Sequence, residues 1–173
     1  SLSLAQEGRI QEGPWRANPT SIDEELDRLG RVAPGGRTER LASVARASVE
    51  RLPGRSLVVV VSDWLMEDAH EAIRTWHAYG HELVAVQVLG RADVTPEEDV
   101  GGWSQLVDVE TGEVVERFVD AAALEAYQAV LRTWQADLRA SVTRGDGHWV
   151  DLRTDRDDAS TFLSRVRRMG LVT

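Results

Sequence analysis

The chain has 173 residues, 42% of them hydrophobic, enough material for one buried core, and no apolar run approaches the ~20 residues of a membrane-spanning helix. A formal net charge of −9 and a pI near 4.9 argue against a nucleic-acid surface, which needs a basic face, and suit a cation or a basic partner. Cysteine is absent and all 20 basic residues are arginine, which excludes disulfides, thiolate nucleophiles, lysine Schiff bases and a P-loop lysine.

In chain order, Ser1–Ile10 alternates weakly and meets a turn signal at Glu7-Gly8, so Arg9–Trp15 is expected to return as a second short strand. A break at Ala17–Thr20 leads into a short acidic helix, Ile22–Leu29, capped by Thr20 or Ser21. The loop Ala33–Arg37 precedes a helix over Thr38–Leu52, with Leu41, Ala45, Ser48 and Leu52 on one face; Pro53-Gly54 stops it. Leu57–Ser62 is a β-branched run without polar alternation, which predicts a strand covered on both faces of a parallel sheet. A helix over Met66–Tyr79 follows, with Ala69, Ile73 and Trp76 inward, and then a second buried strand, Leu83–Leu89. This β-α-β unit is the clearest topology in the chain.

Beyond Leu89 the pattern changes. Gly90–Gly102 reads as an acidic loop, and Gln105–Val109 with Glu113–Phe118 alternates around Glu110-Thr111-Gly112 as a hairpin. Ala121–Val142 carries the longest helical stripe, through Leu124, Tyr127, Leu131, Trp134 and Leu138. Gly145-Asp146-Gly147 breaks it, His148–Leu152 is a short strand, and Asp157 or Asp158 opens a last helix with Phe162, Leu163, Val166 and Met169 inward.

The polar pair Ser62-Asp63 falls at the carboxyl end of the first buried strand, where α/β sheets place their ligands. Asp63 has two readings: a cap for the helix that follows, or a ligand for a hard cation. Thr38, opening the preceding helix, is the natural second ligand. Glu97, Glu98 and Asp99 leave the next strand at the same edge, either as a solvated acidic loop or as further carboxylates for a cation. Asp93 and Asp108 are weaker candidates of that kind. Trp64 and Trp103 are expected to lie partly exposed at this edge as a partner-binding rim. His81 falls at the opposite edge and reads as structural, His70 and His77 lie too far apart along one helix to share a metal easily, and His148 beside Asp146 could form an acid–base pair but has no nucleophile with it, so a structural reading is favoured.

Three segments together, Val58–Leu65, Gly80–Leu89 and Asp108–Glu113, resemble in order and spacing the bacterial family known as domain of unknown function 58, which is similar to von Willebrand factor A domains. Thr154-Asp155 ahead of a terminal helix fits as well. The resemblance covers most of the chain from about Thr38 onward. It implies a Rossmann-like α/β fold, a mostly parallel sheet flanked by helices, with a β-hairpin insertion. It also implies a magnesium site at the sheet's carboxyl edge, where Thr38 matches the second-loop ligand and Asp63 the third, with Ser62 in support. In such domains the metal binds an acidic residue of a partner. Members often neighbour MoxR-type AAA ATPases and carry membrane-spanning segments N-terminal to this domain. The first-loop Asp-x-Ser-x-Ser is missing here, and Gly90-Arg91 stands where the family tends to have Asp-Pro. Residues 1–173 are therefore expected to form one such domain without its first strand and first metal motif, as a piece of a longer protein.

The functional expectation is a cytoplasmic protein-interaction module, magnesium-dependent, partnered by a MoxR-type AAA ATPase and tethered to the membrane, if at all, by sequence outside this chain. It is not expected to be an enzyme. The alternatives are a metal-dependent hydrolase or phosphotransfer-type enzyme built on Asp63, and a purely structural segment in which Asp63 is only a cap.

Overall fold

The computed structural model describes residues 3–6, 9–13, 21–32, 40–96, 102–107 and 112–171. Thr38, the Glu97–Asp99 loop and Asp108 lie outside them. The chain begins with an antiparallel pair, β1 (Ser3–Gln6) and β2 (Arg9–Glu12), and a helix α1 (Ser21–Gly30). Then come α2 (Leu41–Val49), β3 (Leu57–Ser62), α3 (Ala69–Ala78), β4 (Glu82–Leu89) and a single helical turn α4 (Arg91–Val94). The second antiparallel pair is β5 (Gly102–Val107) with β6 (Val114–Val119), followed by the long α5 (Ala121–Thr143), β7 (His148–Arg153) and α6 (Ala159–Arg168). The expected strand, helix and hairpin order holds. Where a plain loop was expected after Leu89, the chain instead makes the α4 turn, because the Asp93 carboxylate accepts the Gly90 N–H at 2.7 Å.

The main sheet has the order β3-β4-β7 and is parallel throughout. In register, Val60, Ala85 and Trp149 lie side by side, as do Val61, Val86 and Val150 one residue on. The pleat therefore sends Leu83, Ala85 and Trp149 to one face and Val84, Val86 and Val150 to the other. The first face meets Leu41, Ala45 and Val49 of α2, Ala72, Ile73 and Trp76 of α3, and Leu138 and Val142 of α5. The second face is narrower, with Phe162 and Met169 packed over Val84, Val86 and Val150.

That asymmetry corrects the expectation for β3. Its apolar run predicts cover on both faces, yet burial alternates. Val58 and Val60 enter the first core, while Leu57, Val59 and Val61 stand 51%, 53% and 65% exposed. The reason is position: among the described residues β3 is the outermost strand of the sheet, and the segment around α6 reaches the valines of β4 and β7 but not those of β3.

Helix starts are set by aspartates. Asp120 accepts from Ala123 N–H, and Asp158, rather than Asp157, accepts from Thr161 N–H, each at 2.8 Å. Hydrogen bonds from the Thr161 backbone and from the Ser160 and Thr161 hydroxyls lower the Asp158 carboxyl to about 2. At α2 the cap comes from far along the chain: the Asp68 carboxylate accepts from Leu41 N–H at 3.2 Å and Ala42 N–H at 3.0 Å. Asp68 is itself only 8% exposed on its side chain and also lies 3.6 Å from Arg40. One residue thus satisfies donors at the start of α2 and ties that helix to the start of α3.

Two stability measurements follow. Val61→Thr should change the unfolding free energy by less than about 0.5 kcal/mol, whereas Val86→Thr buries a hydroxyl and should cost about 1–3 kcal/mol; equal losses in urea titrations would contradict the one-sided cover of β3. Asp68→Ala should cost about 1–2 kcal/mol, with Asp68→Asn retaining part of it; an alanine variant as stable as wild type would remove Asp68 from the capping role.

Candidate functional site

The carboxyl end of β3 turns sharply, and the turn is locked from several sides. Trp64 adopts a φ of 60°, a left-handed conformation that costs an ordinary residue roughly 1–2 kcal/mol. Its indole is completely buried, 6.5 Å from the Trp76 ring and 5.7 Å from the Trp149 ring. The indole N–H donates to the Val86 carbonyl at 3.1 Å, and the Trp64 carbonyl accepts from the Trp134 indole at 2.8 Å. One residue back, the Asp63 carbonyl accepts from the Gln87 amide at 2.7 Å. Gln87 is 1% exposed, and its own carbonyl accepts from Gln135 Nε2 at 2.7 Å. These bonds anchor the strand end to β4 and α5.

The lock places the Asp63 side chain in solvent. Its Oδ1 accepts from Leu65 N–H at 3.1 Å and from the Ser62 hydroxyl at 3.3 Å, and that hydroxyl accepts from Trp64 N–H at 3.3 Å. The second carboxylate oxygen, Oδ2, has no hydrogen-bond partner among the described residues. Asp63 does not cap the following helix, because α3 starts only at Ala69 and its N-cap residue is Asp68. The carboxylate closes its own turn instead.

Two further strand ends reach this edge. After β4, Asp93 is held by Gly90 N–H, and the Tyr127 hydroxyl donates to the Asp93 carbonyl at 2.6 Å, tying α4 to α5. Burial, and the Asp93 charge after it, raise the Tyr127 hydroxyl above its usual range. After β7, Asp155 forms a bidentate pair with Arg153 at 3.0 and 3.1 Å. Asp157 accepts from Arg153 N–H at 2.8 Å and from Arg165 at 3.0 Å. Each carboxylate thus has its own local partner, and among the described residues no three of the metal-binding side chains His, Cys, Asp and Glu converge.

Of the expected site residues, Ser62 and Asp63 stand together as anticipated. Thr38, Glu97, Glu98 and Asp99 lie outside the described residues. Trp64 is a correction: it is not a rim residue but the buried plug of the turn, since the positive φ swings its indole into the core. Trp103 is 79% exposed and lies 6.1 Å from Phe118, across the β5–β6 pair. Gln87 was missed, and its signal was present as the one polar residue within Leu83–Leu89. A single free carboxylate oxygen beside a hydroxyl suits a hard cation that keeps most of its waters, as magnesium does. That is a partial fit, because the Ser62 hydroxyl is already committed to the turn.

The histidines serve elsewhere. His81 is buried and its Nδ1 accepts from Ser56 N–H at 3.1 Å, the structural role expected of it. His70 pairs with the Ser141 hydroxyl at 3.0 Å. His148 faces Glu82 at 3.6 Å, not Asp146, whose charge acts on His77. Burial lowers the His77 pKa, with Asp146 opposing. Gly145 lies so close over the His77 ring that an added Cβ would sit 2.3 Å from Nδ1, so packing accounts for the glycine of the Arg144-Gly145-Asp146 tripeptide.

No curated protein matches the chain. Among solved structures it is similar to a conserved hypothetical protein, BatB, from Bacteroides thetaiotaomicron, at 12% identity and a TM-score of 0.42, over 88% of this chain and 68% of that chain. Among the described residues no helix is long and apolar enough to cross a membrane. The family model described as protein of unknown function DUF58 matches residues 6–137, a span that takes in the Asp63 turn and its Trp134 and Gln135 anchors, and the chain belongs to that family.

Proposed function

We propose that the chain is a protein-interaction module of the von Willebrand factor A type that docks a partner at the carboxyl edge of its parallel sheet, around Asp63. The observation that carries this reading is the presentation of Asp63: a solvent-facing carboxylate on a turn made rigid by Trp64, Trp134 and Gln87. A turn that needs no reordering on contact lowers the entropic cost of association.

The finer proposal is a magnesium ion at Asp63, supported by Ser62 and by Thr38, with the Glu97–Asp99 loop at its rim and a MoxR-type AAA ATPase as partner. Family membership supports it, as does the free Asp63 Oδ2. Trp64 has no part in the rim. No catalytic role is proposed for Asp63; its contribution is electrostatic and positional.

Magnesium at tenfold excess over its Kd should raise the melting temperature by about 3–5 °C in the wild type and leave Asp63→Ala unshifted. No shift in wild type, or the same shift in the variant, sinks the cation. Binding to a purified MoxR-type ATPase should weaken about tenfold in Asp63→Ala, the order expected for a lost charged contact; undiminished binding removes this edge as the docking face. Turnover of phosphate esters that disappears in Asp63→Asn would replace the docking reading with an enzymatic one.

A further inference from the structure

The opposite side of the sheet carries a second surface, which the Asp63 edge does not explain. Among the described residues β7 is the outer strand there. Thr154 N–H donates to the Leu89 carbonyl at 3.0 Å, continuing the ladder to β4. Backbone groups alternate sides along a strand, so His148, Val150 and Leu152 face β4 while Trp149, Asp151 and Arg153 turn their N–H and C=O groups outward.

The carboxyl half of that outer edge is sealed. Arg153 N–H goes to the Asp157 carboxylate, the Arg153 carbonyl accepts from Asp157 N–H at 2.8 Å, and the Asp151 carbonyl accepts from the Arg165 guanidinium. The amino half is not. The Trp149 N–H, the Trp149 carbonyl and the Asp151 N–H have no partner among the described residues. That set, one full residue plus the next outward donor, is what an added strand pairs with.

An open groove of about 530 Å³ runs along this edge between α5 and α6, and four arginines line it: Arg139, Arg156, Arg165 and Arg168. In a chain of net charge −9 this is a local inversion of sign. Two of the four are engaged, Arg139 with Asp151 and Arg165 with Asp157. Arg156 lies 4.0 Å from the same Asp157 and is 66% exposed on its side chain. Arg168 bonds only the Ser164 carbonyl, at 3.3 Å. Arg156 thus shares Asp157 with Arg165 while standing mostly in solvent, and Arg168 has no carboxylate partner among the described residues, so these two guanidinium groups are the ones able to turn to a ligand's carboxylates with paired N–H donors.

We propose that the free edge of β7 is a second docking surface, which takes an extended acidic peptide segment as an added strand, its backbone paired to Trp149 and Asp151 and its carboxylates held by Arg156 and Arg168. The two features select the same ligand. An open strand edge asks for a peptide backbone, which a nucleic acid lacks, and the arginines ask for acidic side chains. The inference is independent of any cation at Asp63.

The test uses a synthetic peptide of about eight residues, the length of an ordinary strand, alternating glutamate and threonine. It should bind, weaken as salt rises, and slow hydrogen exchange at the Trp149 and Asp151 amides. Arg156→Glu with Arg168→Glu should reduce affinity at least about tenfold, and Arg156→Gln with Arg168→Gln by less, both with unchanged melting curves. A peptide N-methylated on alternate residues should not bind. No binding, binding indifferent to both double variants, or equal binding of the N-methylated peptide overturns the proposal. So does strong protection of the two amides in the free protein, since the edge is then covered by the chain itself or, if protection grows with protein concentration, by a second copy.

Discussion

The turn at Trp64 is the point on which the sheet and its surroundings depend. A tryptophan at positive φ gives up roughly 1–2 kcal/mol in backbone conformation, while burying an indole of 150–250 Å² returns about 4–6 kcal/mol at 25 cal/mol per Å². Burial wins, and the strained geometry persists because the ring has nowhere better to go. Its neighbours come from four elements: Trp76 from α3, Trp149 from β7, the Val86 carbonyl from β4 and the Trp134 indole from α5. Each hydrogen bond made around the buried indole matters, since an orphaned buried group costs about 1–3 kcal/mol. The Gln87–Gln135 pair shows the same economy one layer out, where a buried amide bonds the Asp63 carbonyl with one end and Gln135 with the other.

The exposed position of Asp63 follows from that burial. Adjacent residues at a sharp turn diverge, so Trp64 going in sends Asp63 out. A removed or shrunken indole would not merely leave a cavity; it would release the carbonyls of Asp63 and Trp64 from their donors and let the carboxylate wander. Asp68 does comparable work at the other end of the same loop, where its carboxylate holds the start of α2 against the start of α3. The loop from Ser62 to Asp68 is thus fixed at both ends by interactions that reach other elements, and its middle is where the solvent-facing carboxylate sits.

Much of the fold was legible in the sequence where a local pattern decides the outcome. The β-α-β unit showed in two apolar runs separated by a helical stripe, the hairpin in alternation around Gly112, and α5 in the stripe through Leu131, Trp134 and Leu138. What stayed hidden depends on partners distant in sequence. The exposure of Val59 and Val61 is a consequence of where α6 lands, and no feature of Leu57–Ser62 encodes that. Asp68 reaches a helix 26 and 27 residues earlier, beyond any capping pattern read along the chain. At the site, Ser62 and Asp63 were legible from their place at a strand end, but the inward swing of Trp64 was not, because a positive φ at a bulky residue has no local signature. Gln87 was the available clue: a polar side chain within a buried strand must find partners, and those partners are what lock the turn.

The two edges of the sheet present opposite chemistry, and the spacing of the strands makes them separable. β3 and β7 flank β4, so at about 4.8 Å between neighbours they lie roughly 10 Å apart across the sheet, about one Debye length at ordinary salt. At that separation salt already weakens the interaction between charges at the two edges through solvent. Trp64 touches β4 through the Val86 carbonyl and β7 through the Trp149 ring, both in the buried interior, where a sub-ångström shift meets close packing. The carboxyl half of β7 is moreover closed by Asp157 and Arg165, which fixes its end whatever occupies the amino half. A partner at either edge is thus expected to bind without altering the other, which is the behaviour of a rigid connector between two segments and not of a switch.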